Sequence, residues 1–191
     1  MFKKLLVIPA VLLGLSLSGC GLVGVTDANH MNHGGMVGDN SEFSNADIMF
    51  AQMMIPHHQQ AVDMGTLAET RASNPKVKEL AAQIKSEQAP EILQMKAWLT
   101  ASGSGMDMGH DMGMNGMLSE ADMTALANAK GFKFDVLYLD GMISHHEGAI
   151  AMAKDVLDAK NSEVKKLAEQ IVKTQTEQIS YIKELQQSFS N

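Results

Sequence analysis

The chain has 191 residues, enough for one domain with a core of its own, and carries 15 Lys and Arg against 22 Asp and Glu. The net charge of −7 repels phosphate backbones, which excludes nucleic acid as a partner and draws cations toward the surface. A single cysteine rules out a disulfide within the chain, and 16 Met with 7 His exceed what core gap-filling asks for.

Lys3 and Lys4 precede an apolar run from Leu5 to Leu17, and Leu17-Ser18-Gly19-Cys20 closes it with small residues. That run is too short to span a membrane comfortably and has the layout of a secretory signal peptide, residues 1–19. The closing tetrapeptide resembles a bacterial lipobox, which implies cleavage before Cys20 and lipidation of that residue. Cleavage removes two lysines and no acidic residue, which takes the mature chain to −9. The expected location is the extracytoplasmic face of a bacterial cell envelope, with the lipid as membrane anchor. Residues 20–43 lack periodicity and read as a flexible tether that carries His30, His33 and Met36.

Helical patterning begins at Ser44, where Ser44 and Asp47 have capping-box spacing. A first helix is predicted from Asn45 to Arg71. Ser73-Asn74-Pro75 makes a turn, and a second helix follows from Pro75 to Thr100, with Pro90 expected to bend it. Residues 101–117 form a Gly-, Met- and Asp-rich loop with Met106, Met108, His110, Met112, Met114 and Met117. Ser119 and Asp122 repeat the capping spacing and open a short helix to Ala129. A long helix is predicted from Lys133 to Ala159, and a last one from Glu163 to Ser188.

The chain repeats itself. Phe50–Met64 aligns with Tyr138–Met152 at an offset of 88, and Val77–Ile92 aligns with Val164–Ile179 at an offset of 87. The unit is a helical hairpin present twice, at 44–100 and 118–191. Two amphipathic hairpins bury their apolar faces most simply as an all-α four-helix bundle, here with one short extra helix.

On a wheel of about 100° per residue, His57 and His58 flank Met54 on the inward face of the first helix, and His145 and His146 flank Met142 on the third long helix. Met64 and Met152 return to the same faces. The partner helices interrupt their apolar stripes with Gln88 and Glu91, and with Gln175 and Gln178. Inward imidazoles and inward amides or carboxylates can partner one another. That is the layout of metal ligands with hydrogen-bonded supports, Gln88, Glu91 and Gln175 among them. Structural His–Gln hydrogen bonds inside a bundle meet the same pattern.

Thioether sulfur is soft and neutral and favours Cu(I), with Ag(I) as its chemical analogue, while imidazole serves Cu(I) and Cu(II) alike. A mixed set at Met54, His57, His58, Met64, Met142, His145, His146 and Met152 therefore suits copper in both oxidation states. The loop and tether repeat these donor types as further, adaptable sites. No Glu-x-x-His pair for a di-iron centre, no His-Glu-x-x-His and no phosphate loop occurs. No catalytic residue is assigned.

Met54-Ile55-Pro56-His57-His58 with Ala61 and Met64, then Gln88-x-x-Glu91-Ile92-x-x-Met95-x-x-Trp98-Leu99, resemble the domain of unknown function 305 family. Phe134-Asp135 and Met142-Ile143-x-His145-His146-x-Gly148-Ala149-x-x-Met152-Ala153 do so again, and the likeness covers residues 44–187. The resemblance implies a ferritin-like four-helix bundle, with CopM-type periplasmic members that bind copper and help cells resist it. It carries over the same eight Met and His residues as ligands. The second hairpin departs from the pattern at Gln178 and Ile182, where the first has Glu91 and Met95. The expected function is copper binding for sequestration, delivery or resistance, with the metal ion and the membrane as partners. Two other readings stay open: a copper-dependent oxidoreductase, and an envelope interaction protein whose His pairs are structural.

Overall fold

A computed structural model describes residues 42–106 and 115–189. The lipobox with Cys20, the tether donors His30, His33 and Met36, and the loop donors Met108, His110, Met112 and Met114 lie outside the described residues.

The described residues form five helices and no strand: α1 (Asn45–Arg71), α2 (Pro75–Ala101), α3 (Glu120–Asn128), α4 (Phe132–Lys154) and α5 (Ser162–Ser188). Caps set their starts. Ser44 accepts from the Asp47 amide while the Asp47 carboxylate accepts from the Ser44 amide, a full capping box. Asn74, Ser119 and Asn161 cap α2, α3 and α5 through their side-chain oxygens. The helix assignment of α2 runs unbroken through Pro90.

The helix predicted to reach Ala159 ends at Lys154. Beyond it the amides of Asp155, Val156 and Leu157 turn to the carbonyls three residues back, at Met152, Ala153 and Lys154. The chain thus winds tighter and leaves the α-helix, a common way of satisfying terminal groups.

α1 packs along α2, α4 packs along α5, and the two hairpins meet mainly through α1 against α4. Long side chains span α2 and α5: Gln170 donates to Glu91 at 3.0 Å, Gln178 to Glu87 at 2.7 Å and Trp98 to Glu163 at 3.0 Å. Two apolar clusters fill the interior. Phe50, Met54, Met95, Trp98, Met152 and Ile171 belong to one. Met64, Ile84, Phe134, Tyr138, Met142 and Ile182 belong to the other. On every long helix a polar buried stretch lies between the residues given to each cluster: His57 and His58, Gln88 and Glu91, His145 and His146, Gln175 and Gln178.

The hairpins are also pinned together at one end. Asp135, wholly buried on α4, accepts from the Ser73 amide at 3.0 Å, the Ser73 hydroxyl at 2.5 Å and the Asn74 amide at 2.9 Å. Its repeat partner Asp47 has one carboxylate oxygen on the Ser44 amide and the other, buried, with no protein partner. At the Asp47 end the α4–α5 turn is joined to the first hairpin by Asn161 donating to the Glu42 carbonyl at 3.1 Å.

Candidate functional site

The four helical histidines converge in one layer. His57, His58, His145 and His146 have no exposed surface, and the His57 and His145 rings lie 3.9 Å apart at their centroids, tilted by 41°. The repeat accounts for the convergence: α1 and α4 each bring an adjacent His pair inward at the middle of the helix, and the helices cross there. Met54 shares its apolar cluster with Met152, and Met64 shares the other with Met142. The thioethers therefore flank the imidazole layer in two pairs, each drawing one Met from either hairpin, and the four donors of one helix do not gather in one place.

Hydrogen bonds identify the ring nitrogen that carries the proton. His57 Nε2 faces the Asn115 carbonyl at 3.3 Å, and His145 Nε2 faces the His57 carbonyl at 2.9 Å. His58 Nε2 faces the Glu91 carboxylate at 2.8 Å, and His146 Nε2 faces Gln178 Oε1 at 2.7 Å. The Gln178 amide cannot be turned round, because its nitrogen donates to the Glu87 carboxylate. All four partners are acceptors, so every Nε2 donates and each neutral ring keeps its lone pair on Nδ1. Among the described residues none of the four Nδ1 atoms has a hydrogen-bond partner.

Burial keeps three of these rings, His57, His145 and His146, neutral. It pushes His57 down to about 3, with His58 next to it adding to the fall. Burial lowers His145 well below the ordinary imidazole value, and His57 and His146 lower it further. His146 drops to about 4 for the same first reason, with the bond to Gln178 acting the other way. Near neutral pH these three are uncharged nitrogen donors that need lose no proton to take a cation.

Of the residues expected to support the ligands, Glu91 holds His58 directly. Gln88 and Gln175 lie buried in the layer, with both polar side-chain atoms of Gln88 and the Oε1 of Gln175 lacking protein partners. The amide that bonds His146 is Gln178, which aligns with Glu91 at the 87-residue offset. Met106 is exposed and Met117 half-buried. Among the described residues no three His, Asp or Glu side chains are grouped so as to hold a metal ion.

A short strap at the end of the Met-rich loop, with Met117 in it, covers the layer. Gln60 on α1 donates to the Leu118 carbonyl at 3.0 Å and accepts from its amide at 2.8 Å. Gln52 donates to the Gly105 carbonyl at 2.7 Å. The two ends of the Met-rich loop are thus fastened to α1, one of them over His57. Gly116, at φ +86°, and Gly148 let the strap backbone press onto α4: a Cβ on Gly148 would overlap the Asn115 carbonyl, and one on Gly116 the Ser144 carbonyl. The sequence signal for this contact is one glycine directly after Asn115 and another a turn beyond Ser144, a pattern that reads equally well as linker composition.

The chain is similar to several solved structures. A Streptomyces coelicolor DUF305 protein, assigned as secreted, is 33% identical with a TM-score of 0.70, covering 73% of this chain and 91% of that one. CopM in its Cu(I)-bound form is 31% identical with a TM-score of 0.65, covering 76% of this chain and 98% of CopM. Its Cu(II)-bound form is 33% identical with a TM-score of 0.63, over 75% and 97%. No curated protein matches. The family model described as domain of unknown function (DUF305) matches residues 47–186, and the chain belongs to that family.

Proposed function

We propose that this protein is a lipid-anchored, extracytoplasmic copper-binding protein that takes up Cu(I) and Cu(II), and Ag(I) as an analogue, for sequestration or delivery. The observation that carries the reading is the imidazole layer: four buried rings, each with its Nε2 committed to an oxygen and its Nδ1 unpartnered among the described residues, flanked by four buried thioethers. Buried polar atoms normally find partners. Four unpartnered nitrogens of one kind, beside the softest neutral donor a protein has, fit a soft or borderline cation. Met54, Met64, Met142 and Met152 supply the sulfur, and His57, His58, His145 and His146 the nitrogen. Likeness to CopM, a protein with Cu(I)-, Cu(II)- and silver-bound forms, supports the same ion class. The signal-like segment and Cys20, with likeness to a protein assigned as secreted, support the location.

The deciding experiment is a competition titration of the full chain with a Cu(I) chelator and, separately, a Cu(II) chelator. Replacing His57, His58, His145 and His146 by Gln should weaken both ions by tenfold or more, on the order of the effect of losing a ligand's support alone. Wild-type affinity in that variant would leave the layer a structural hydrogen-bond network, which its four Nε2 contacts also suit.

A further inference from the structure

The two halves of the layer differ in the group that holds the outer histidine. On the first hairpin it is a carboxylate: Glu91 accepts a hydrogen bond from His58 Nε2 at 2.8 Å, and its other oxygen accepts from Gln170 at 3.0 Å. On the second it is an uncharged amide: Gln178 accepts from His146 at 2.7 Å. Both holders are buried, at 8% and 6% exposure. Glu87 stands one amide further out on the Gln178 side, at the half-buried edge, where water screens it.

We propose, on top of the copper-binding reading, that Glu91 is the residue that biases copper binding in this bundle toward Cu(II) through the half that contains His58. A fixed carboxylate behind an imidazole makes the ring a stronger donor and places a negative charge across the ring from the bound ion. Coulomb attraction scales with the charge of that ion, so a dication gains twice what a monocation gains. The hydrogen bond from Gln170 holds the second oxygen and keeps the carboxylate in place. The half with His146 has the same imidazole geometry without the charge, and is correspondingly left to the monovalent ion. This role is one of positioning and charge: Glu91 acts through His58 and is not itself assigned as a ligand.

The test uses the purified full chain, Cu(I) and Cu(II) chelator competition, and two variants. Glu91→Gln keeps the shape and an acceptor oxygen for His58 while removing the charge, with the Gln170 amide turning its oxygen toward the new nitrogen. Glu87→Gln with Gln178→Glu moves a carboxylate onto His146 and keeps the net charge, and the amide introduced at position 87 can still donate to the carboxylate introduced at position 178. Each variant is compared with wild type in the same half, so the difference between Met95 and Ile182 in the two halves cancels. The expected result is a Cu(II)-to-Cu(I) affinity ratio that falls about tenfold in Glu91→Gln and rises in the double variant. Equal losses for both ions, or an unchanged ratio, would overturn the proposal. Imidazole ¹⁵N spectra of the metal-free Glu91→Gln protein give a second readout: His58 should remain protonated on Nε2. A changed tautomer would mean that Glu91 acts by geometry and would likewise overturn it. Failure of the underlying copper reading looks different: wild type and the four-histidine variant would then bind both ions alike.

Discussion

Acid should destabilise the metal-free bundle through its histidines. In the native state His57 and His146 take a proton only near about 3 and about 4, and His145 is also held well down, in each case chiefly by burial. In the unfolded chain the same rings protonate near their ordinary value of about 6.5. The unfolded state therefore binds more protons below that value, and stability falls as pH drops from about 6.5 toward the native values. Each ring contributes about 1.4 kcal/mol per pH unit across that window. At pH 5 the loss is about 2 kcal/mol for each of His57 and His146, with His145 acting in the same direction, set against roughly 5–15 kcal/mol for an ordinary domain. Urea unfolding followed by circular dichroism at pH 7 and pH 5 measures it, because ordinary carboxylates titrate mostly below that range. Replacing His57, His145 and His146 by Gln should remove most of the slope. A metal-free wild type equally stable at both pH values, or a Gln variant with the wild-type slope, would refute the reasoning.

Other outcomes follow from the same geometry. Met54→Leu with Met142→Leu removes one sulfur from each side of the layer at nearly constant volume, so the fold should change by less than about 1.5 kcal/mol while Cu(I) affinity falls more than Cu(II) affinity in chelator competition. Gly148→Ala puts a methyl into the strap backbone, and overpacking of about 2 kcal/mol should lower the Tm by roughly 4–8 °C in a calorimetric scan; an unchanged Tm would mean that the strap does not bear on α4. Cys20→Ser should release the protein from membranes or leave its precursor unprocessed, read by fractionation and intact mass, since no thioether-linked lipid can form.

Much of this arrangement is written in local chemistry. Ser44 with Asp47, Ser119 with Asp122 and Asn74 before Pro75 announce helix starts that the structure reproduces, because a cap depends on a few neighbouring residues. The inward face of α1 follows from helical periodicity, and the duplicated segment carries it to α4. What depends on how the helices cross was not legible. The pairing of Met54 with Met152 and of Met64 with Met142 is fixed by the meeting of α1 and α4, and a wheel treats each helix alone. The early end of α4 is invisible for another reason: Asp155 to Ala159 contains nothing that forbids a helix, and the tight turns there form beside the start of the other hairpin. The strap went unread because Asn115 contributes a backbone carbonyl, which every residue has.

The Asp135 latch gives the bundle a direction in which to come apart. A pair of identical hairpins would carry such a latch at both ends, with the same order of opening at each. Here the carboxylate that grips the Ser73–Asn74 turn has a repeat partner, Asp47, that grips only its own helix cap. The end nearest the α4–α5 turn is therefore the looser one, held to the first half by Asn161 on the Glu42 carbonyl and by Trp98 on the Glu163 carboxylate. Fluctuations that part the hairpins should start there and run toward Asp135, so that one end works as a mouth and the other as a hinge.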